Sequence, residues 1–588
     1  MSYNASIEAK PFTKRQRLEI LRSQLENERQ SFISHWRDLG NFILPRRPRF
    51  VLGDQNRGER RNRNIIDSTA TKAVRTLKSG MMAGMTSPAR PWRKLTIADQ
   101  ELAKLDNVKR WLFDVNEKME SVFHRAHLYN ALPVIYGDCA VFATGAMLME
   151  EDFEQVVRFT PLAVGSYMVA NNKKGEVDVF YREFGMTIRQ LVDKFGVEPN
   201  GDIDWSKFSI HVKDLYDRGS METWVDVCHI IEPNKEYDPN KLDAKYKKYS
   251  SCYYEKGFGA GQRYETNEIS DKYLMESGYD FFPVLVPRWE VTGEDSYGSN
   301  CPGMEALGDI KQLQLGEKKI MEAIEKMINP PMVGPPELRN MKASILPSDI
   351  TYVASREAGR GFQPAHEVDP KVQELELKQA QMRDRIKSLF YEDLLLMMAQ
   401  SDRRQITASE VAERHEEKMW AFGSVLEQFN KDLFKPLIDN TFTIMLQQGM
   451  IPEPPEELEG MDLEVEYISI MAQAQKLIGV ASVDRFFGFV SQIAAGDPSI
   501  MDKIDMNETV DTYADMTGVP PKMIRSTEEA EAIRQQRQQA AQQQATMENI
   551  ESASKSAKDL SGATLEEDSA LKRLLDQSTA GGQVPVAA

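Results

Sequence analysis

Two long helical patterns on either side of a proline-rich stretch are the feature that most constrains the fold of this chain. Apolar residues recur at three- and four-residue spacing over residues 303–329, which predicts a helix roughly 39 Å long at 1.5 Å per residue. A second helical pattern covers residues 368–399. Four prolines follow the first pattern: Pro330, Pro331, Pro335 and Pro336. Because proline lacks an N–H and clashes with the preceding turn, we expect the chain to turn sharply within residues 330–367.

The net charge restricts the partners that the protein can have. The 588 residues carry a formal charge of −17, so the surface as a whole repels nucleic acid. Contact with DNA would have to come from a local basic patch, or it would be weak. The densest apolar run, LLLMMA at residues 394–399, is too short to span a bilayer, and the first residues show no apolar signal core. We expect no membrane anchor and synthesis in the cytoplasm.

The cysteine spacing fits neither a zinc site nor a disulfide framework. The four cysteines are far apart in the chain: Cys139, Cys228, Cys252 and Cys301. Intracellular cysteines are usually buried thiols, so we predict four buried free thiols in a reducing compartment.

The first 300 residues change from a helical to a β-rich pattern. Helices are predicted at 13–44, 67–85 and 107–147, the last broken near Pro133. Residues 153–291 contain runs of β-branched and aromatic residues, such as VDVFYREF and TWVDVCHII, bounded by Gly, Pro and Asn. One helix interrupts these runs, with Thr187 as its N-cap and Gly196 at its end. The sequence therefore predicts an α+β domain that is followed by a mainly helical region.

The last 180 residues are predicted to be mainly helical. A long helix covers 408–449, with Thr407 and Glu410 as a capping box and a kink at Pro436. A small all-helical unit follows at about 470–525. Residues 526–588 are rich in Gln and Ala and predict one more helix with a frayed end.

The search for reactive chemistry is mostly negative. The sequence has neither a G-x-x-x-x-G-K-[ST] loop nor a G-x-S-x-G elbow, and the KGFGAG stretch at 256–261 is interpreted as a turn. His124 and His127 could share a helix face, but no H-E-x-x-H pattern accompanies them, so a surface or packing role is favoured. The carboxylates are scattered. We expect no catalytic site, no metal and no cofactor.

Two arginine-containing stretches leave two interpretations open. Residues 46–63 carry seven arginines, which either contact nucleic acid or an acidic partner, or form a solvated loop packed by neighbouring acidic subunits. The SDRRQIT stretch at 401–407 lies between two long helices. It is either a loop that projects from the end of a helical hairpin or an ordinary surface turn.

Several segments in the same order resemble a known family. These are TSPARPWRKL, YGSNCPGMEALGDIKQLQLGEKKIMEAIEKMINPPM, RRQITASEVAERHEEK, FKPLIDNTF and VDTYADMTGVPPKMIRSTEEAEAIRQQR. Together they resemble the portal, or head-to-tail connector, proteins of short-tailed bacteriophages, from about residue 10 to about residue 545. The resemblance implies a mainly helical α+β fold. It also implies an order of parts: N-terminal helices and α+β wing (1–302), stem helix (303–329), clip (330–367), second stem helix (368–399), tunnel loop (400–407), long wing helix and linker (408–460), helical crown (461–525) and a helical tail or barrel with a disordered end (526–588).

The same resemblance implies a structural function. Portal proteins form a ring, typically of twelve copies, at one capsid vertex, and double-stranded DNA passes through its channel. The implied partners are the terminase large subunit, major capsid and scaffolding proteins, and tail adaptor or nozzle proteins, in a virion assembled in the host cytoplasm. The resemblance places Arg403, Arg404 and Gln405 on the tunnel loop and the four prolines at the clip turn. The alternatives are another neck or scaffold protein of a viral particle, or an intracellular hydrolase with an unrecognised site.

Overall fold

The computed structural model describes most of the chain. The described residues are 13–50, 58–89, 92–97, 99, 102, 105–256, 272–333, 363–364, 371–393, 423–458, 463–467 and 527–561, with short pieces at 483, 486–490, 492–493, 508–510, 513–514 and 523. The chain divides into two compact units: residues 1–103 with 111–474, and residues 104–110 with 475–588.

The helices of the described residues are numbered in chain order. They are α1 (Lys14–Phe42), α2 (Thr69–Met85), α3 (Asp106–Arg125), α4 (Leu128–Phe142), α5 (Ile188–Phe195), α6 (Ile210–Asp217), α7 (Pro302–Ile328), α8 (Val372–Leu389), α9 (Lys435–Gln447) and α10 (Thr527–Ser561). Helical residues 423–429 and a π-helical turn, Asn430–Phe434, lead directly into α9.

The strands form antiparallel sheets of different sizes. They are β1 (Arg93–Ile97), β2 (Met147–Asp152), β3 (Val156–Pro161), β4 (Tyr167–Asn171), β5 (Val177–Thr187), β6 (Trp224–Pro233), β7 (Tyr249–Glu255), β8 (Met275–Tyr279), β9 (Val284–Leu285), β10 (Met332–Val333), β11 (Gln363–Pro364) and β12 (Leu463–Tyr467). In the described residues the largest sheet has the order β4-β5-β6-β7-β8, a second has β3-β2-β9, and β1 pairs with β12 and β10 with β11.

Helices cover both faces of the five-stranded sheet. Alternate residues of β6 point to opposite faces, as the two-residue period of a strand requires. Val227 packs with residues of α5 and α6, whereas Cys228 and Ile230 pack with Leu18 and Leu25 of α1. These contacts confirm the α+β domain predicted from the sequence and explain why its strands carry apolar residues on both faces.

The predicted helix inside this domain is confirmed together with both of its ends. Thr187 Oγ1 accepts a hydrogen bond from the backbone N–H of Gln190, and the Gln190 side chain accepts one from the backbone N–H of Thr187. This reciprocal pair is a capping box. The helix ends at Phe195, and Gly196 is the C-cap, as predicted.

One expectation for the first 300 residues is wrong in detail, and three elements were not predicted. The break within 107–147 lies at the left-handed His127 between α3 and α4, and Pro133 lies inside α4. Strands β2 and β8 and helix α6 were not predicted, because their sequences mix polar and apolar residues without a clear period.

Two expectations for the C-terminal half also need correction. The predicted helix at 368–399 is interrupted after Leu389, because Tyr391 adopts a φ of 57°, which a continuing α-helix excludes. Residues 392–393 are helical again, and 394–399 lie outside the described residues. Residues 463–467, which the resemblance placed in the helical crown, form β12 and pair with β1, Leu463 lying opposite Ile97. The four cysteines are free and buried, as predicted.

The irregularity predicted at Pro436 takes the form of a π-helical turn just before that residue. The π-helical turn Asn430–Phe434 accommodates the backbone hydrogen bond that Pro436 cannot make, because proline has no N–H. Helix α9 then continues with Pro436 in its first turn. Asp432 of this turn lies inside the domain, where its Oδ2 accepts a hydrogen bond of 2.9 Å from Arg288 Nε and its Oδ1 one of 3.1 Å from Arg288 Nη2. Both side chains are almost fully buried, so this bidentate ion pair fixes the helix to the α+β domain.

Candidate functional site

Helix α7, with 27 residues, is one of the two longest helices of the first unit in the described residues, next to α1 with 29. It begins with Pro302 in the first turn, where a missing N–H costs nothing, after the extended residue Cys301. The backbone N–H groups of Met304 and Glu305 donate to the Cys301 carbonyl at 3.0 and 3.1 Å. The helix ends at Ile328, two residues before the first proline pair. The predicted helix at 303–329 and its proline stop are therefore confirmed.

The apolar stripe predicted on α7 is buried over its first two thirds only. Leu307, Ile310, Leu313 and Ile320 are buried. Further along, Met327 is 50% exposed and Ile328 is 79% exposed. The domain thus covers the start of the helix, while its end extends beyond the domain with uncovered apolar side chains.

Helices α7 and α8 pack closely at one glycine. A Cβ built on Gly316 would lie 1.9 Å from the side-chain amide nitrogen of Gln379, which is buried. Further along α8 the side chains of Met382, Ile386 and Phe390 are buried at helical spacing. The two helices therefore form a close pair, as two stiff neighbouring rods require.

A buried glutamine joins this helix pair to the segment before α2. Gln314 Oε1 accepts hydrogen bonds from the backbone N–H groups of Ile66 and Asp67 at 2.6 and 2.8 Å. Its Nε2 donates to the Asp67 carbonyl at 2.8 Å. The side chain is only 4% exposed, so water competes little for these bonds. We call this arrangement of Gln314 with Ile66 and Asp67 the clasp.

An ion-pair network reinforces the clasp from α8. Arg383 Nε donates to Asp67 Oδ2 at 2.8 Å, and its Nη2 pairs with Glu317 of α7. Burial opposes the ionisation of Asp67, but hydrogen bonds from Thr69 and the ion pair with Arg383 outweigh it and lower the pKa of Asp67. One arginine thus links α8, α7 and the segment before α2. The sequence alone did not predict Gln314, Asp67 or Arg383, because no spacing relates residues this far apart.

The charges of α7 are balanced and partly paired. It carries five acidic and four basic side chains: Glu305, Asp309, Glu317, Glu322, Glu325, Lys311, Lys318, Lys319 and Lys326. Asp309 Oδ2 lies 3.1 Å from Arg385 Nη2, and Lys311 Nζ lies 2.6 Å from Asp38 Oδ2. An element with this balance presents no strongly attractive surface to phosphate groups.

The structure describes only part of the predicted site residues. Pro330 is half-buried and Pro331 exposed, and the chain turns there into β10. Strand β10 pairs with β11, Met332 lying opposite Pro364, so the two ends of the predicted clip lie together. Pro335 and Pro336 lie outside the described residues. The tunnel-loop residues lie outside them as well: Arg403, Arg404 and Gln405.

In the described residues, the arginines of the stretch at 46–63 are either half-buried or exposed. Arg47 Nε lies 2.7 Å from Asp138 Oδ1, and the Asp138 side chain is 1% exposed. Burial opposes the charge of Arg47, but the adjacent carboxylate outweighs it and raises the pKa of Arg47. Arg47 is thus held by a buried carboxylate, whereas Arg46 beside it is exposed. Arg60 and Arg63 are exposed.

The two histidines considered as possible metal ligands, His124 and His127, are both exposed. His124 Nε2 lies 3.4 Å from Glu120 Oε1, and His127 is exposed. Within the described ranges, no group of three or more His, Cys, Asp or Glu side chains is placed to hold a metal ion. In the same part of the chain, no helix has both the length and the apolar character needed to cross a membrane. The expectation of no catalytic site stays a prediction.

Comparison with known proteins gives similarity over nearly the whole chain. The family model described as bacteriophage head to tail connecting protein matches residues 15–524. The portal protein of Salmonella phage epsilon15 is 43% identical over 571 residues, which are 97% of this chain and 100% of that protein. The probable portal protein of Bordetella phage BPP-1 is 42% identical over 527 residues, which are 89% of this chain and 92% of that protein.

Proposed function

The chain belongs to the bacteriophage head-to-tail connecting protein family, and from this premise we propose that it acts as a portal protein. Family membership confirms the resemblance predicted from the sequence. In this proposal identical copies, twelve in number, form a ring at one vertex of the capsid. Double-stranded DNA enters the capsid through the ring during packaging and leaves through it during ejection. The protein is then a component of the virion that is assembled in the host cytoplasm.

The observation that carries the proposal is the identity of 43% that extends over the full length of a protein named as a portal protein. Because every part of that relative has a counterpart here, the whole architecture is expected to be shared. The helix pair α7–α8 fits the stem of such a ring. Helices are stiff, and the pair has the same length in every copy, so the pairs of neighbouring copies can stand side by side. Its balanced charge supports a channel through which DNA slides, because each phosphate that is neutralised adds affinity and slows movement.

The remaining parts of the ring follow the chain order. We assign residues 303–329 and 368–399 to the stem, 330–367 to the clip and 400–407 to the tunnel loop. The long wing helix and its linker take residues 408–460. Since β12 belongs to the first unit, we place the start of the helical crown after residue 474, and 526–588 form the helical tail or barrel.

The proposed partners follow from the two sides of the ring. On the outside the terminase large subunit docks first and the tail adaptor or nozzle proteins replace it after packaging. Major capsid and scaffolding proteins surround the ring within the vertex. In this proposal the portal is a structural component, and the ATPase that drives packaging is a separate protein.

Particle mass and end-on images test the ring. Twelve copies of the 66.9 kDa chain give about 800 kDa, and negative-stain images are expected to show rings with a central hole. Native mass spectrometry gives the copy number directly. A purified chain that stays monomeric under all assembly conditions, or an assembly with a solid centre, would contradict the proposal.

The tunnel loop can be tested by charge removal. Replacing Arg403 and Arg404 by Ala is expected to leave the ring intact and to change DNA packaging or retention, because transient phosphate contacts in the channel are lost. A matched control replaces Arg189 and Arg218 by Ala, two exposed arginines of the α+β domain. Normal packaging and normal retention of the loop variant would remove the loop from the mechanism.

A further inference from the structure

The turn between β2 and β3 presents an exposed aromatic side chain among carboxylates. Phe153 is 101% exposed at the tip of this hairpin. Its neighbours are Glu151, Asp152 and Glu154. In the described residues the carboxylates of Glu151 and Glu154 have no hydrogen-bond or ion-pair partner, while Asp152 is 3.9 Å from Arg158. We call residues 151–154 the acidic knob.

The acidic knob is held in one conformation. Asp152 Oδ1 accepts hydrogen bonds from the backbone N–H groups of Glu154 and Gln155 at 2.9 and 3.1 Å, and these bonds lower the pKa of Asp152. The next residue, Val156, is buried and has a φ of 71°, which is strained for a β-branched side chain. Strained backbone persists where the surrounding structure fixes it, and such sites are often functional. A turn whose backbone is already fixed loses little backbone freedom on binding, which favours a docking role for the aromatic side chain at its tip.

A second exposed surface carries the opposite charge. Residues 58–66 include Arg60, Arg61 and Arg63 and end in Ile66, whose side chain is 52% exposed. We call this segment the basic arm. The Arg63 side chain is 71% exposed and pairs with Glu59 inside the arm at 3.5 Å. In the part of the chain that the structure describes, Arg60 has no ion-pair partner.

The basic arm is attached to the body on both sides. Before it, the backbone N–H of Arg49 donates to the Val164 carbonyl at 2.8 Å. After it, the clasp holds Ile66 and Asp67 on Gln314 of α7. The arm is therefore positioned beside the helix pair α7–α8, and its exposed cations are presented from a fixed base.

We propose that the acidic knob of one copy docks on the basic arm of the next copy in the ring. The two surfaces match in charge, and each offers an apolar side chain, Phe153 on one and Ile66 on the other. Within one chain Arg63 pairs with Glu59 of the same arm and Asp152 pairs with Arg158 of the same hairpin, so each surface is available to a neighbour. A contact between two different surfaces is heterologous, and repetition of such a contact closes a ring when the rotation from copy to copy returns to the first copy. This inference rests on the proposed function.

The docking also reduces the electrostatic repulsion between neighbouring copies in the ring. Every copy carries a formal charge of −17, so neighbouring copies repel each other. A local contact of opposite charges lowers this repulsion at the interface and fixes the orientation in which copies meet. The basic arm is suited to this role, since it concentrates positive charge in an acidic chain.

Charge reversal tests the contact with the full chain. One variant carries Glu151→Arg and Glu154→Arg, a second carries Arg60→Glu and Arg63→Glu, and a third combines all four changes. Native mass spectrometry and sedimentation measure the ring fraction at low and at moderate salt. Each reversal alone is expected to lower the ring fraction at least tenfold at low salt, because like charges then meet. The combined variant is expected to restore rings, because the pairs are re-formed with exchanged signs.

An uncharged change tests the apolar part of the contact. Phe153→Ala is expected to lower the ring fraction, whereas Leu242→Ala, which removes a side chain that is 97% exposed in another loop, is expected to leave it unchanged. Circular dichroism and thermal unfolding of each variant verify that it folds. Glu151→Gln with Glu154→Gln gives a milder form of the knob variant that keeps side-chain size.

The outcomes separate the docking from the proposed function. If the unaltered chain forms no ring, the proposed function fails. If it forms rings and both reversed variants do so equally well, the docking is overturned while the ring stands. Loss of rings with the knob variant alone would show that the knob contacts a surface other than the basic arm. If the arm variant forms rings but packages less DNA, the arm contacts nucleic acid, and the docking is likewise overturned.

Discussion

Removal of the Gln314 side chain is the sharpest test of how the helix pair is held. Gln314→Ala deletes three hydrogen bonds, two from the N–H groups of Ile66 and Asp67 and one to the Asp67 carbonyl. A net contribution of about 0.5–1.5 kcal/mol for each bond gives a local loss of roughly 1.5–4.5 kcal/mol. Since 1.4 kcal/mol corresponds to a factor of ten, amide exchange in this segment is expected to be about 10- to 1600-fold faster.

Hydrogen exchange measured by mass spectrometry on peptides around residues 64–70 is the appropriate assay. A global unfolding midpoint is less suitable, because a chain with two compact units need not unfold in one step. Gln312→Ala is the matched control, since Gln312 is an exposed glutamine on the same helix two positions away. If Gln314→Ala and Gln312→Ala exchange at the same rate over this peptide, the clasp does not hold the segment and the reasoning is refuted.

Three further predictions concern the interior of the first unit. Gly308→Ala is expected to stabilise α7 by up to about 1 kcal/mol, because no other atom lies near the added Cβ. Gly303→Ala should cost about 1–3 kcal/mol, because its Cβ would lie 2.8 Å from the α4 backbone. The shifts in thermal unfolding temperature of the two variants should have opposite signs. Burial holds the pKa of His229 well below its usual value, so the unfolded chain binds a proton that the native state excludes. The free energy of unfolding should therefore fall as the pH drops below about 6.5. Denaturant titrations should show a smaller fall for His229→Gln. Arg288→Ala should cost about 3–5 kcal/mol in the same titrations by leaving Asp432 buried without its partner, and Arg288→Met combined with Asp432→Leu should recover part of that loss, which a surface pair would not do.

Elements with local signals could be predicted from the sequence. The N-cap, the helix and the C-cap of α5 lie within ten consecutive residues, 187–196, and α7 has an apolar period and a proline stop. Both were predicted within one residue or two. The signals for these helices come from hydrogen bonds and steric limits between residues close in sequence, which is why a single sequence is sufficient.

Features that depend on distant partners could not be predicted. Arg383 and Asp67 are 316 residues apart, and their ion pair can be recognised only when α8 lies beside the segment before α2. The end of α8 at Leu389 follows from the left-handed Tyr391, a residue type without special preference for that conformation. The tunnel-loop residues came from the family resemblance alone, and their placement stays a prediction.

The pairing of β1 with β12 has a consequence for biosynthesis. At about 5–20 residues per second, the ribosome takes roughly 20–70 s to proceed from the end of one strand to the start of the other. During that interval the earlier strand has no partner, and an open strand edge invites pairing with other chains. A host that translates many copies at once must therefore keep these nascent edges apart, so a lower number of chains made at one time or an attending chaperone would raise the yield of correctly folded subunits.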